Sequence, residues 1–151
     1  RFFYEYMNEN RKENQLSLLY VDLDDFKKVN DAHGHHIGDG ALELVARLMR
    51  EAFPGDFIVR LGGDEFLICL VGERSLAFLE EKANRLLQSL LGAFQASDYL
   101  RVMSASIGIA SSADPGTKLD DLVRQSDIAM YAAKQSGKSR CCVYSSGLTK
   151  K

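Results

Sequence analysis

Residues 57–71 read FIVRLGGDEFLICLV, and this stretch has the pattern of a β-hairpin. The two flanking runs, residues 57–61 and 66–71, are rich in the β-branched and aromatic side chains that favour strands. The connection between them is short, polar and contains two glycines, as tight hairpin connections often do. The stretch therefore predicts two neighbouring antiparallel strands, with Asp64 and Glu65 at the tip that joins them.

The other elements are predicted from hydrophobic periodicity and from the residues that begin and end each run. Asp24 or Asp25 is expected to cap a short helix that Gly34 ends. The element order is α-β-α-α-β-β-α-β-α-β. It predicts an α+β domain with a central, mostly antiparallel, five-stranded sheet flanked by helices in a ferredoxin-like, split βαβ arrangement. Helices are expected at residues 2–14, 24–32, 37–53, 76–94 and 119–135, and further strands at residues 15–23, 100–110 and 141–144.

Composition indicates one ordinary globular domain: 151 residues, of which 46% are hydrophobic and 26% charged. With 19 basic and 21 acidic residues the formal charge is −2. This balance argues against binding to a nucleic-acid polymer or to a membrane surface, since both need a basic excess. Because the chain begins at Arg1, we expect residues 1–151 to be a single domain of a longer multidomain protein, which could itself be anchored in a membrane.

The three cysteines are too few for a disulfide framework. Cys141 and Cys142 are neighbours, and a bridge between them would be strained. Cys69 lies in an apolar run and is expected to be a small core residue. Reduced thiols and a cytoplasmic location are therefore expected for this domain.

Two acidic clusters form a candidate metal site. Asp22 ends the first predicted strand, while Asp64 and Glu65 occupy the tip of the hairpin. If that strand lies beside the hairpin, these carboxylates converge. Mg²⁺ typically takes one or two carboxylates and completes its coordination with phosphate oxygens and water, and two metal ions on a triphosphate would neutralise its charge.

A structural interpretation competes with the metal site. Asp24 and Asp25 could simply cap a helix, and the acidic residues of the hairpin could be solvated turn residues. The presence of both clusters, together with Gly62 and Gly63, favours ligand binding, because residues without side chains let the backbone approach a ligand.

Three blocks of sequence resemble the GGDEF diguanylate cyclase family. They read RLGGDEF at residues 60–66, DLDDFKKVNDAHGHHIGD at residues 22–39 and AMYAAKQSGK at residues 129–138. Three blocks in this order and spacing are highly specific, and the resemblance covers nearly the whole chain. It implies a palm-like, nucleotidyl-cyclase-like fold and an enzyme that condenses two GTP molecules into cyclic di-GMP and two pyrophosphates.

The resemblance also assigns the reacting groups. Asp22, the backbone carbonyl of Leu23 and Asp64 would hold Mg²⁺ or Mn²⁺, with two ions in each half-site. Glu65 would join the metal site or help to remove the proton from the 3′-hydroxyl. Whether Asp64 or Glu65 is the base stays open.

Guanine recognition is assigned by the resemblance to Asp39 and Asn30. A carboxylate accepts from the N1–H and N2–H donors of guanine, whereas adenine has an acceptor at N1, so the wrong base leaves polar groups unpaired. His35 would lie near the phosphate or the ribose. Without the resemblance, Asp39 would be interpreted as a helix-start residue and Asn30 as a turn former.

Donors for the triphosphate are expected at two places. The backbone N–H groups of Asp25 and Phe26, at a helix start, can bind phosphate oxygens, and Lys27 adds a charge. Lys134 and Lys138 are four residues apart and are expected to share one helix face near its C-terminal end, where compensation of the helix dipole is their ordinary role. The family usually has arginine at the position of Lys138, so a weaker hold on phosphate is expected.

An inhibitory product site is expected to be degenerate. Many family members carry an Arg-x-x-Asp motif shortly before the hairpin, which binds the product. Here the stretch is FPGD, residues 53–56, so Asp56 is retained and Phe53 replaces the arginine. Phenylalanine cannot make the bidentate contacts of arginine, so product inhibition through this site is predicted to be absent or weak.

The product contains two nucleotides, and each 3′-hydroxyl must attack the α-phosphate of the other GTP. One domain has room for one nucleotide, so a homodimer is expected, at least transiently, with a two-fold axis between the half-sites. The alternatives are a catalytically silent domain that binds GTP and regulates a neighbour, and a cyclase or polymerase palm that uses another nucleotide. Intact Asp22, Asp64 and Glu65 argue against the first, and Asn30 with Asp39 argues against the second.

Two further patterns are interpreted as structural. His33, His35 and His36 have no cysteine pair nearby, and their spacing fits no closed zinc site. Met130 and Tyr131 are expected to pack a helix against the sheet rather than to contact a ligand.

Overall fold

The computed structural model describes residues 5–7, 9, 14–114 and 116–149. Its strands are β1 (Leu16–Asp24), β2 (Phe57–Arg60), β3 (Glu65–Val71), β4 (Ser104–Ser112) and β5 (Arg140–Val143). The helices that connect them are α1 (Phe26–His33), α2 (His35–Ala52), α3 (Leu76–Gln95) and α4 (Leu119–Gln135). Within the described residues, the strands form one sheet in the order β2-β3-β1-β4-β5.

β1 lies at the centre of the sheet and every one of its residues is buried. It pairs antiparallel with β3 on one side and with β4 on the other. β2 and β3 form the predicted hairpin, and β5 pairs parallel with β4. The prediction of a mostly antiparallel, five-stranded sheet flanked by helices is therefore confirmed. A strand covered by helices on both faces reads as a continuous apolar run, which explains the sequence of β1.

Successive residues of β1 point to opposite faces of the sheet and enter two different cores. Leu19, Val21 and Leu23 belong to the core that also contains residues of α1, α2 and α3. Leu18 and Tyr20 belong to the core on the other face, which contains residues of α4. The domain is therefore a sheet between two helical layers.

α4 lies close against β4 because Gly108 has no side chain. A Cβ atom at Gly108 would collide with the backbone of Ser126 and Met130 on α4. Met130 is buried, which confirms its predicted packing role, while Tyr131 is half-buried. This close packing brings the C-terminal end of α4 to the end of β1, where the candidate site lies.

Of the two candidate caps for the first helix, Asp25 occupies the N-cap of α1, with φ 64° and no side-chain capping hydrogen bond, while Asp24 is the last residue of β1. One expectation about local structure is wrong. The strand predicted at residues 100–110 begins only at Ser104. Residues 100–103 instead form a turn closed by the Met103 N–H to the Leu100 carbonyl. Leu100 and Met103 are buried there, whereas Val102 is exposed.

The remaining boundaries agree within one or two residues, and Gly34 ends α1 with φ 91°. The helix expected at residues 2–14 falls mostly outside the described residues, of which 5–7 and 9 are helical. All three cysteines are free, and Cys69 is buried in the core as expected. Among the described residues, no helix has the length and apolar character needed to cross a bilayer.

Candidate functional site

The end of β1 and the tip of the hairpin meet, as the sequence predicts. Asp22 is paired with Glu65 across the β1–β3 ladder. The N–H of Leu23 donates to the carbonyl of Asp64 at 3.0 Å. Three carboxyl-bearing residues from distant parts of the chain are thus brought to one end of the sheet.

The carboxyl group of Asp22 is held where ionisation is unfavourable. Burial raises its pKa most, Lys134 opposes that shift, and the neighbouring Asp64 and Glu65 raise the pKa further, to about 7. The side chain of Asp22 is only 13% exposed, so water screens this repulsion poorly. A cation at this end of the sheet would relieve the repulsion.

The oxygen donors fit a magnesium-type ion that is completed by its substrate. Within the described part of the chain, no three histidine, cysteine or acidic residues form a ready-made metal cage. Mg²⁺ does not require such a cage, since one or two carboxylates with phosphate oxygens and water satisfy it. The residues present are therefore compatible with the expected ion.

Tyr20 contacts Glu65 directly, a contact that the sequence analysis did not anticipate. Its phenol O–H donates to Oε1 of Glu65 at 3.0 Å. Burial raises the pKa of Tyr20, and the negative charge of Glu65 adds to that shift, so the phenol stays a hydrogen-bond donor. The signal available in the sequence was position: Tyr20 precedes Asp22 by two residues and so shares its face of β1.

Lys134 reaches the acidic end of β1 from α4. Its Nζ lies 2.7 Å from Oδ1 of Asp24 and 3.5 Å from Oδ1 of Asp22. Burial alone would lower the pKa of Lys134, but the hydrogen bond and charge of Asp24 and the charge of Asp22 outweigh it, so the pKa is raised. Lys134 is therefore a firmly cationic group next to the carboxylates.

Lys138 does not share a helix face with Lys134, which corrects the expectation from their spacing. α4 ends at Gln135, and Gly137 turns the chain with φ 123°. Lys138 follows in that turn, with its Nζ 3.3 Å from Oδ1 of Asp25. The helix ends earlier because Gly137 adopts a positive φ, as glycine does readily after a helix C-terminus. Tertiary packing still brings both lysines to the start of α1.

A cavity of about 500 Å³ lies between α2 and the hairpin, and Asp39 is part of its wall. Arg60 also lines the cavity and holds the hairpin turn, donating from Nε to the Gly62 carbonyl at 2.9 Å and from Nη2 to the Gly63 carbonyl at 2.8 Å. No role for Arg60 is predicted from the sequence, although it lies two residues before Gly62. The rest of the wall is formed by Leu42, Glu43, Ala46, Arg50, Ile58 and Phe66.

Asn30 lies on α1, where its amide packs against α2. A Cβ atom at Gly38 would collide with Oδ1 of Asn30, and this oxygen has no hydrogen-bond partner among the described residues. Asn30 is not among the residues that line the cavity of Asp39. The two residues expected to recognise guanine are therefore on adjoining helices but not in one pocket wall.

The remaining substrate-binding candidates lie around the start of the two helices. Phe26 is buried at the start of α1, and His35 is the exposed first residue of α2. Lys27 is exposed and forms an ion pair with Asp31 at 3.0 Å. Such an exposed pair contributes little energy, so Lys27 can leave it readily.

The position expected for product inhibition is closed by the protein itself. Phe53 is buried in the core, and Nζ of Lys82 lies 4.8 Å above its ring and donates to the carbonyl of Ala52 at 2.5 Å. Burial raises the pKa of Asp56 despite the opposing charges of Arg74 and Lys82. The aromatic ring thus points into the core at the position where the family motif has an arginine.

Fold and site together define a class of protein: an α+β domain that gathers carboxylates and lysines at one end of an antiparallel sheet, beside a cavity under a glycine-containing hairpin. A model of the family described as "Diguanylate cyclase, GGDEF domain" matches residues 2–140. The chain belongs to the GGDEF domain family.

Known relatives and solved structures agree with this membership. The cyclic di-GMP phosphodiesterase PdeR of Escherichia coli is 39% identical over 132 residues, covering 87% of this chain and 20% of that protein. The bifunctional diguanylate cyclase/cyclic di-GMP phosphodiesterase MucR of Pseudomonas aeruginosa is 38% identical over 139 residues, covering 91% of this chain and 20% of that protein. The active GGEEF domain of a diguanylate cyclase from Vibrio cholerae superposes with a TM-score of 0.75 at 29% identity, covering 97% of this chain and 92% of that one. The chain thus spans about a fifth of the length of the two curated relatives.

Proposed function

We propose that this domain is a diguanylate cyclase that condenses two GTP molecules into cyclic di-GMP and two pyrophosphates. The observation that carries the proposal is the meeting of Asp22 with Asp64 and Glu65 at the end of β1, beside Lys134. The similarity to the active domain from Vibrio cholerae supports the same reaction. Both the acidic and the basic groups that the reaction needs are therefore close together.

Each bond-forming step has the same balance. The 3′-oxygen of one GTP forms a bond to the α-phosphorus of the other, the bond from that phosphorus to the bridging oxygen breaks, and pyrophosphate leaves. The proton of the 3′-hydroxyl passes to a carboxylate, for which Glu65 and Asp64 are the two candidates. Tyr20 keeps Glu65 oriented through their hydrogen bond.

Metal and phosphate binding are assigned to separate groups. Asp22, the carbonyl of Leu23 and Asp64 would hold Mg²⁺ or Mn²⁺, two ions per half-site, to neutralise the phosphate charge, with Glu65 as a further candidate ligand. The triphosphate is bound by Lys134 and Lys138 and by the open turn at Gly62 and Gly63. The N–H groups of Asp25 and Phe26 at the start of α1 bind it as well, and Lys27 adds charge there.

The guanine base occupies the cavity below the hairpin. Asp39 in the cavity wall accepts from its N1–H and N2–H groups. Asn30 lies on α1 outside that wall, with its Oδ1 buried against Gly38, so its amide would have to turn to reach the base. His35, exposed at the start of α2, lies towards the ribose and phosphate.

The active species is a homodimer, at least during turnover, with one GTP in each half-site. Two domains related by a two-fold axis place each 3′-hydroxyl opposite the partner's α-phosphate, which turns a bimolecular encounter into an oriented one. A nucleotide substrate and three free thiols suit a cytoplasmic setting.

A second candidate is a GTP-binding domain that regulates a neighbouring domain without catalysis. It is favoured by the similarity to PdeR, which is named as a phosphodiesterase and contains a matching segment. The cyclase remains the better proposal because the carboxylates of Asp22, Asp64 and Glu65 are all present.

The test is incubation with GTP and Mg²⁺ at high protein concentration, followed by chromatography for cyclic di-GMP. The Asp64→Asn variant should lose the product and keep the fold. Asp121→Asn, which changes a half-exposed residue paired with Arg124, should keep both. GTP binding without any product, in protein shown to dimerise, would support the regulatory alternative.

Dimeric catalysis has its own signature in the same assay. The rate should rise faster than linearly with protein concentration while the protein is mostly monomeric. Strict proportionality over a wide range, in protein shown to be monomeric, would contradict the dimer.

A further inference from the structure

We propose that Asp24 is a positioning residue that holds both phosphate-binding lysines, Lys134 directly and Lys138 through the backbone of Ser139. This inference rests on the proposed function, because it needs the lysines to bind the substrate phosphates. The proposed role of Asp24 differs from both helix capping and metal binding.

The first observation is the complete burial of Asp24. Asp24 is 0% exposed, so its carboxylate contacts neither water nor a ligand in the site. Both of its oxygens are already occupied by donors from α4, from β4 and from the turn that precedes β5. Oδ1 accepts from Lys134 Nζ at 2.7 Å and Ser106 Oγ at 2.8 Å, and Oδ2 accepts from Ser104 Oγ at 2.5 Å and the Ser139 N–H at 3.1 Å.

These contacts make Asp24 the counter-ion of Lys134. Nζ of Lys134 lies 2.7 Å from Oδ1 of Asp24, and the hydroxyls of Ser104 and Ser106 hold the carboxylate in place. This matters because Lys134 would otherwise be drawn towards Asp22, only 3.5 Å away, where the metal is expected.

The second observation is the shape of the turn after α4. Gly137, Lys138 and Ser139 are consecutive residues with φ of 123°, 65° and 52°. Residues other than glycine adopt this region rarely and at a cost, so such a conformation persists only where the surroundings hold it. The Ser139 N–H, which donates to Oδ2 of Asp24, is part of what holds it. Lys138 lies inside this turn, so its position depends on the same carboxylate.

An aspartate is required here, and asparagine cannot replace it. The Lys134 ammonium and the Ser139 N–H are both donors without acceptor capacity, and they lie on different oxygens of Asp24. Whichever way an asparagine amide is turned, its NH₂ group faces one of these donors. Asp24→Asn therefore releases either Lys134 or the turn of Lys138.

The test compares two probes that share guanine but differ in phosphate. The first is 3′-deoxy-GTP with Mg²⁺, which cannot form product, and the second is guanosine. Asp24→Asn should weaken 3′-deoxy-GTP binding by about tenfold or more, as expected for a lost charge-assisted hydrogen bond. Guanosine binding should change by less than about twofold. A matched control is Glu81→Gln, which removes the same charge from an exposed pair on α3 and should change neither affinity.

Three results would overturn the inference. The first is an equal loss for both probes, which would mean that Asp24 only supports the fold. The second is unchanged binding of 3′-deoxy-GTP in a folded Asp24→Asn variant. The third concerns the Lys134→Met/Lys138→Met double variant. Because Asp24 acts through these lysines, adding Asp24→Asn to that variant should weaken 3′-deoxy-GTP binding by less than about twofold. A further loss as large as the one that Asp24→Asn causes in the wild type would overturn the inference.

The lysine variants also separate the inference from the proposed function. If Lys134→Met and Lys138→Met leave 3′-deoxy-GTP binding unchanged, the phosphate site itself is assigned wrongly. If they weaken it and Asp24→Asn does not, only the role of Asp24 is wrong.

Should Asp24→Asn fail to fold, the Ser104→Ala/Ser106→Ala double variant serves instead. It keeps the charge of Asp24 and removes two of the donors that orient it. A loss of about threefold for 3′-deoxy-GTP alone, with faster hydrogen exchange at the Ser139 amide, is expected. No change in either, or an equal loss for guanosine, would contradict the positioning role.

Discussion

Asp22 and Glu65 show how the environment of a single residue decides its chemistry. Both are ordinary carboxylic acids in the sequence, but Asp22 is desolvated and surrounded by charge, and Glu65 receives a phenol hydrogen bond. Burial and the neighbouring carboxylates therefore make the ionised form of Asp22 unfavourable. Functional sites often carry such strain, which a bound ligand relieves.

Replacing Asp22 should stabilise the metal-free protein at alkaline pH. The folded-state pKa of about 7 lies above the usual aspartate pKa of 3.8, so the folded protein favours the neutral acid. Ionisation then costs folding free energy as the pH rises from about 4 to about 7, and the full cost applies above that range. In EDTA at pH 8, Asp22→Asn should raise Tm by about 5 °C or more.

This stabilisation should shrink as the pH is lowered towards 4, where Asp22 is protonated in the folded state. Thermal unfolding of the wild type and of Asp22→Asn measures the difference in Tm at each pH. Asp98→Asn, which changes an exposed residue, is the control. A lower Tm for Asp22→Asn at pH 8 would show that the attraction of Lys134 outweighs burial.

Tyr20→Phe should reduce cyclase activity without disturbing the fold. The substitution keeps the aromatic ring in its core and removes only the hydroxyl that donates to Glu65. A hydrogen bond to a charged group contributes about 1.5–3 kcal/mol, so a fall in rate of about tenfold or more is expected. The rate and its dependence on Mg²⁺ concentration should be measured. Near wild-type activity would show that Glu65 does not need the hydrogen bond from Tyr20.

At the scale of elements, the packing of α4 on β4 decides where Lys134 lies. The close approach at Gly108 places α4 so that its last turn meets the end of β1. A helix held a little farther from the sheet would carry the ammonium away from Asp24. The packing of α4 on β4 therefore also sets the position of Lys134 in the candidate site.

Gly108→Ala should destabilise the domain and weaken nucleotide binding together. The new methyl group would meet the backbone of Ser126 and Met130, which cannot move without displacing α4. Overpacking of this kind costs about 1–3 kcal/mol. Gly92→Ala is the matched control, since nothing lies within 4 Å of its Cβ position in α3. Alanine is the better helix former, so this variant should be neutral or stabilised. Thermal unfolding and 3′-deoxy-GTP titration distinguish the two, and equal Tm values would contradict the packing argument.

At the scale of the whole molecule, regulation by product should differ from that of family members with the complete Arg-x-x-Asp motif. The surface around Asp56 lacks the arginine, and Lys82 is engaged with Phe53 and Ala52. An inhibitory site there would have to break these contacts before it could bind phosphate.

If the domain has the proposed cyclase activity, added cyclic di-GMP should therefore not inhibit it through this surface. Initial rates measured with increasing product, together with calorimetric titration of the protein, test the prediction. Tight product binding that Asp56→Asn abolishes would contradict it.

The element pattern was largely predictable from the sequence because it depends on neighbours along the chain. Alternation and apolar runs located the hairpin and β1, and the convergence of Asp22 and Asp64 followed from pairing those strands. The same local logic failed at residues 100–103, where apolar side chains continue the sequence of β4 but the chain forms a turn. It also failed at Lys138, where the spacing of four suggested a helix that Gly137 ends.

By itself, the sequence determined the family, the sheet and the residue types at the candidate site, since periodicity and motif spacing are properties of the linear chain. Only the tertiary structure decided that Asp24 holds Lys134, 110 positions away, and that Tyr20 orients Glu65. It also decided that Asp22 resists ionisation. Distances and desolvation decide these properties, and both arise only when remote parts of the chain pack together and exclude water.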